Sequence, residues 1–333
     1  MGKWDLILGK KMNRLHVEDL SIKELSETIY DLAIFSCGYE ERCIDVPEQL
    51  SHTNILSSIV LSFDQHQNDP IRNKCMSYYD NLWPNSHKLE INQSEIKRLF
   101  IFISEIISNI NKDYVKILID YTSMSRAWYS SILNYFVNFN EKNVVIDLTY
   151  TSAIYHDLDL NVELGDLKII PGCEGISLTK KQNAAIFMLG FDKYGPQRIY
   201  NILNPNKTFG VIASPAASYE YEEECIRRNK DFILHCLGGE ENLIKLPINS
   251  LSSCYEHMTQ MISPLCRDYN VSIVPFGPKP HILTSILCSF NFRNVTCMYS
   301  EYIRNKTVTV ESSGEITVSR LFVKKHHENN YLL

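Results

Sequence analysis

Five segments of this chain recur in the same order at a nearly fixed interval. The interval is 152 residues from Gly38 to Gly190 and from Ser62 to Ser214, and 157 from Asn92 to Asn249. It is 155 from Tyr121 to Phe276 and 151 from Asn143 to Asn294. Each copy is a set of short β-rich runs separated by amphipathic helical stretches, the pattern of βαβ units around a parallel sheet. The expected fold is therefore α/β, with two tandem Rossmann-like parallel-sheet halves. Residue identity between the copies is weak, and the competing arrangement is one larger α/β domain with accidental periodicity.

In the first half, Asp31–Ser36, Ile55–Asp64, Lys88–Ile91, Val115–Asp120 and Val144–Tyr150 read as strands. The spacing of apolar residues predicts helices over 40–50, 70–82, 93–111 and 126–138. Pro70 suits a first helical turn, and Ser94 precedes a long apolar-periodic run. In the second half the matching strands are Ala184–Leu189, Thr208–Ser214, Leu246–Asn249, Val271–Pro275 and Val295–Tyr299. Around the halves (31–160 and 184–302) lie an N-terminal extension, 1–30, and a connector, 161–183, with turn formers Gly165, Pro171, Gly172 and Gly175. Residues 303–333 read as a C-terminal β-hairpin and tail, with Thr307–Glu311 and Ile316–Leu321 as arms around Ser312, Ser313 and Gly314.

A hydrophobic share of 44%, with 19 Tyr, is enough to build cores and argues against disorder. The net charge of −6 speaks against a sequence-independent grip on DNA, and no sequence-specific DNA binding is expected. The pairs Lys10-Lys11, Lys180-Lys181 and Lys324-Lys325 read as solvated surface. None of the ten cysteines forms a C-x-x-C pair, so no zinc site is expected, and most lie in apolar runs as small buried thiols. No stretch reaches the length of a membrane span, and the apolar run near the N-terminus is short for a signal peptide. Free thiols then point to a reducing cytoplasm.

In an open parallel sheet, ligands bind beyond the strand carboxyl ends where the strand order reverses. For the order 3-2-1-4-5 that point lies between strands one and four. Two loops in each half therefore matter. The first contains Gly38, Tyr39, Glu40, Glu41 and Arg42. Gly38 permits a tight turn. Arg42 is placed to face an anion and Glu40 or Glu41 to hold a ribose hydroxyl, although acidic residues also simply suit a first helical turn. The second loop, Asp120 to Arg126, brings the hydroxyls of Thr122, Ser123 and Ser125 and the cation Arg126 to a helix start. Plain N-capping explains one of those hydroxyls. The second half offers Gly190 at the first position, Gly277 and Lys279 at the second, and Ser214 after strand two.

At these loops the chain resembles the CARF-like proteins, the CRISPR-associated Rossmann-fold sensors. Tyr121-Thr122-Ser123-Met124-Ser125-Arg126 and Phe276-Gly277-Pro278-Lys279-Pro280 look like that family's loop after strand four, while Gly38 and Gly190 match the first loop loosely. The resemblance covers roughly 31–150 and 184–300. It implies a nucleotide or oligonucleotide second messenger bound between two such domains, an antiviral-defence setting, and an effector carried here by a separate protein. Arg228 and His235 have the spacing of a HEPN ribonuclease motif but stand in a predicted helix-to-strand segment.

No cofactor is expected, since neither G-x-x-x-x-G-K-[ST] nor a strand-following G-x-G-x-x-G is present. Asp64, His66 and Asp69 fit no metal-ligand pattern well. Cys37 is a nucleophile only if His66 or His156 reaches it. Three functions stay open: a sensor of a nucleotide-type anion; a nucleotide hydrolase using Glu40, Glu41 or Glu223 as acid, base or nucleophile; and a non-catalytic scaffold subunit.

Overall fold

The computed structural model describes residues 15–65, 67–92, 95–139, 141–155, 162–304 and 310–323. Ser94, His66, His156 and the two terminal lysine pairs lie outside them. In the first sheet, β2 (Leu32–Cys37), β3 (Ser58–Phe63), β4 (His87–Ile91), β5 (Tyr114–Asp120) and β6 (Asn143–Tyr155) run parallel in the spatial order β4-β3-β2-β5-β6. This is 3-2-1-4-5. In the second, β8 (Gln182–Met188), β9 (Lys207–Ala213), β10 (Leu243–Leu246), β11 (Tyr269–Pro275) and β12 (Val295–Arg304) repeat it as β10-β9-β8-β11-β12. The protein is thus an α/β molecule of two Rossmann-like halves. β2 is buried at every position, as a central strand covered on both faces must be.

The two sheets exchange their outer strands. After β6, the chain enters β7 (Val162–Ile169), which pairs antiparallel with β12 of the second sheet. After β12, β13 (Val310–Val323) returns to pair antiparallel with β6 of the first sheet, and β1 (Leu15–Leu20) adds to its edge. Each half therefore completes the other.

The expected C-terminal hairpin is not formed. Its described residues belong to the single strand β13, of which both ends pair with β6: Glu311 opposite Ile154 and Val318 opposite Thr149. The register shifts between Ser312 and Ile316, so Ser-Ser-Gly makes a bulge, with Gly314 at φ 75°. Residues 305–309 of the expected first arm lie outside the described residues.

Helices Pro70–Leu82 and Arg126–Asn138 match their expected bounds because both start signals are real. Asp69 accepts from the N–H groups of Ile71 and Arg72, and Ser125 accepts from that of Trp128. The expected helix over 40–50 is instead a short 3-10 turn, Glu41–Ile44, and a single α-turn, Asp45–Glu48, interrupted by Pro47. The expected helix over 93–111 is shorter, Ile96–Ser108. The third strand of the second half lies earlier than expected, ending at Leu246 just before Pro247. Residues 228–237 are helical throughout, apart from the junction at Asn229, with no strand.

One hydrophobic core spans both halves. Leu32 and Ile34 of β2 and Ile186 and Met188 of β8 point into it, while Ala33 and Phe35, or Ala185 and Phe187, face separate outer clusters. Helices Arg126–Asn138 and Lys279–Asn291 lie packed together in this shared core and are buried on nearly every face. Their N-termini open toward the carboxyl ends of both sheets.

Candidate functional site at the junction of the two halves

A cavity of about 730 Å3 lies where those carboxyl ends meet. Loops from both halves line it. Tyr39, Glu40 and Arg42 come from the loop after β2, and Ser123, Ser125 and Arg126 from the loop after β5. Gly190 comes from the loop after β8, and Gly277 and Lys279 from the loop after β11. Nine residues singled out from the sequence thus line one space. Five others do not. Gly38 and Thr122 are buried behind the wall, half-buried Ser214 is not part of the lining, and Glu41 and Glu223 lie on exposed surface.

The two glycines let neighbouring loops touch at each switch point. A Cβ on Gly38 would stand 2.9 Å from that of Ser123, and one on Gly190 would stand 2.2 Å from the carbonyl oxygen of Phe276. Thr122 is fully buried; its hydroxyl donates to Asp120 Oδ1 and accepts from the N–H of Thr151 at 3.0 Å. It shapes the loop rather than the cavity. Ser214 donates its N–H to Leu246. Glu41 pairs with Lys74 at 3.0 Å, and Glu223 hydrogen-bonds Tyr219.

Arg42 is almost wholly buried, and its guanidinium bonds Glu40 at 2.7 Å and the carbonyl of Thr151 at 2.6 Å. Burial opposes its charge, but Glu40, Tyr150 and Tyr155 together outweigh that and hold its pKa above the usual value. Lys279 crosses from the second half into the first. Its ammonium donates to the carbonyls of Thr122, Met124 (2.9 Å) and Tyr121 (3.4 Å). Burial pushes its pKa down to about 7, against the pull of Glu40. Arg126 stands at the equivalent position of the first half. Its guanidinium lies 4.9 Å from the ring centre of Tyr299, and no carboxylate pairs with it among the described residues.

Beneath the floor, Asp120 is fully buried and its pKa is pushed up to about 6 by desolvation, with the Thr122 hydrogen bonds and Lys279 opposing. Several polar atoms at the cavity lack partners: Ser123 Oγ, the Tyr129 hydroxyl and Asp192 Oδ2. Buried polar groups are normally satisfied, so such atoms mark places for water or a ligand. Asp192 Oδ1, in contrast, accepts from the N–H groups of Tyr194 and Gly195.

Aromatic rings supply much of the remaining wall. Tyr39 stacks on Phe63 at 5.6 Å, and Tyr155, Phe191 and Tyr221 meet edge to face. Apart from Tyr39, the sequence reading did not single out these rings or Asp192 as site residues. Their high number was visible, but only the exchange of strands brings Tyr155 and Phe191 together.

The remaining chemical candidates lie elsewhere. Cys37 is buried off the cavity, with its thiol against the carbonyl of Arg72. Cys225 does line the cavity, but burial pushes its thiol up to about 12. Asp69 is a helix cap, and no metal-ligating cluster occurs among the described residues. Arg228 bonds Glu224 within its own helix. No helix among the described residues is long and apolar enough to cross a membrane.

No family model matches the chain, and no curated protein matches its sequence. Among solved structures it is similar to the cytoplasmic domain of a prokaryotic cation chloride cotransporter. Identity is 8% and the TM-score 0.26, over 82% of this chain and 95% of that one. It is also similar to a phosphoethanolamine N-methyltransferase from Haemonchus contortus bound to phosphoethanolamine and S-adenosylhomocysteine. Identity is 9% and the TM-score 0.24, over 90% and 89% of the two chains.

Proposed function

We propose that the protein is a binding module for a nucleotide-type anionic ligand, held in the cavity between its two halves. The observation that carries this reading is convergence. Switch-point loops of both halves reach the same cavity, which also holds a cation without a carboxylate partner among the described residues and a wall of aromatic rings, with unpartnered polar atoms just behind it. Phosphate oxygens suit the cation and hydroxyls, and a base suits the rings. In this reading the protein is a cytoplasmic sensor of CARF-like type, acting through a separate effector protein in an antiviral setting.

Binding is favoured over hydrolysis by the state of the three glutamates that a hydrolase was expected to use. Glu41 and Glu223 are off the cavity, and Glu40 is committed to Arg42. The test is a thermal-shift screen of the purified chain against mononucleotides and short linear and cyclic oligonucleotides, with chromatography of each mixture. A raised melting temperature with intact ligand is expected. Turnover would turn the assignment to a hydrolase, and no response to any nucleotide would leave a scaffold.

A further inference from the structure

We infer that the cavity takes a ligand with one phosphate group and one base, a nucleoside monophosphate, rather than an oligonucleotide. This rests on the nucleotide reading above and narrows it. The halves repeat in backbone but not in chemistry. A ligand that carried several equivalent phosphates would need equivalent cations on the two sides of the pseudo-dyad. Arg126 and Lys279 occupy such equivalent places, each at the first position of its core helix. Only one of them is free.

Lys279 has its ammonium in contact with three backbone carbonyls of the opposite half. Arg42 is neutralised by Glu40. Arg126 is left with a ring face and no hydrogen bond among the described residues. A planar guanidinium held against an aromatic ring presents its fork in one orientation, and that fork matches a single phosphate. Two unpartnered hydroxyls, Ser123 Oγ and that of fully buried Tyr129, lie just behind the same wall.

The opposite wall has no free cation. Leu189, Phe191, Ala213, Ala216, Ala217 and Phe276 make it apolar, and the alanines leave a flat space. A base fits there with its faces against carbon. Asp192, only 7% exposed, lines this side with Oδ2 unpartnered. That oxygen is packed against Gly195 rather than open to the cavity, and the carboxylate's charge on this side disfavours a second phosphate. The volume, about 730 Å3, falls in the range that encloses one small molecule.

The experiment is calorimetry on the full chain. The probes are the four common ribonucleoside 5′-monophosphates, the parent nucleosides, and linear and cyclic tetra-adenylate. At least one monophosphate is expected to bind, its nucleoside about tenfold to a hundredfold more weakly, and the tetranucleotides not measurably. Arg126→Ala should remove the advantage of monophosphate over nucleoside while leaving nucleoside affinity within about twofold. Arg126→Lys should recover part of it. Ala217→Leu should weaken both probes alike. Melting curves of the unliganded variants check that each is folded. Tight tetranucleotide binding without monophosphate binding would overturn the inference and leave the nucleotide reading standing. Equal loss of nucleoside and monophosphate in Arg126→Ala would also overturn it. Silence from every probe would remove both.

Discussion

Asp120→Asn should change how the stability of this protein responds to pH. The Asp120 carboxyl is fully buried at the end of β5, and desolvation lifts its pKa from an ordinary 3.8 to about 6. The folded chain thus holds this proton more tightly than the unfolded chain. Between about pH 4 and pH 6, unfolding releases a proton, so stability falls as pH rises through that window. Above it the full penalty is present. A shift of about two units at about 1.4 kcal/mol each gives about 3 kcal/mol. Asparagine keeps an acceptor for the N–H and hydroxyl of Thr122 and cannot ionise. Any cost of placing its amide where Oδ2 lacks a partner is the same at every pH and cancels from the comparison. Urea unfolding of both proteins at about pH 4 and about pH 7.5 should show the variant gaining on the wild type by about 3 kcal/mol between the two. Parallel pH profiles would refute the claim that burial raises the pKa of this carboxyl above its unfolded value.

Three other substitutions probe the same junction. Gly190→Ala meets the backbone oxygen of Phe276 at 2.2 Å and should cost about 1–3 kcal/mol in thermal or urea unfolding, whereas Gly38→Ala meets only the Ser123 side chain and should be rescued by Ser123→Gly. An unrescued Gly38→Ala would show that the loop contact is not the reason for glycine there. Lys279→Met should become steadily less stable than the wild type as pH rises above about 7, because the wild-type folded state sheds a proton that its unfolded chain keeps toward 10.5. A gap constant from about pH 7 to pH 9 would contradict this. Tyr129→Phe removes an unpartnered buried hydroxyl and should leave the empty protein as stable or about 1 kcal/mol more so, and a clear loss in melting would mean that the hydroxyl has a partner when no ligand is bound.

Much of the sheet order was legible because its signals are local. Asp69 with Pro70, and Ser125 before Arg126, mark helix starts through hydrogen bonds made within a few residues. Continuous apolar runs mark central strands. The C-terminal region was misread for the opposite reason. A Gly with positive φ after two serines serves a hairpin turn or a bulge equally well, and the choice depends on β6, far back in the chain. The strand β7 is hidden in the same way, because its partner β12 comes much later. In the site, residue types at the right loops could be named from the sequence, but their state could not. That Arg42 and Lys279 are already occupied and Arg126 is not follows from contacts across the two halves.

The core shared by the two halves also limits how binding could be communicated. In a pair of independent domains, a ligand in the cleft could be sensed by a rigid rotation of one domain against the other. Here such a rotation would open the core in which helices Arg126–Asn138 and Lys279–Asn291 pack. Losses of that size exceed the few kcal/mol that a small ligand contributes through differential affinity. What can move at low cost is the rim: the Arg126 side chain on Tyr299 and the Tyr39 ring on Phe63. A signal from this cavity must therefore leave through local changes at the mouth, and any partner that reads it must dock where those loops reach the surface.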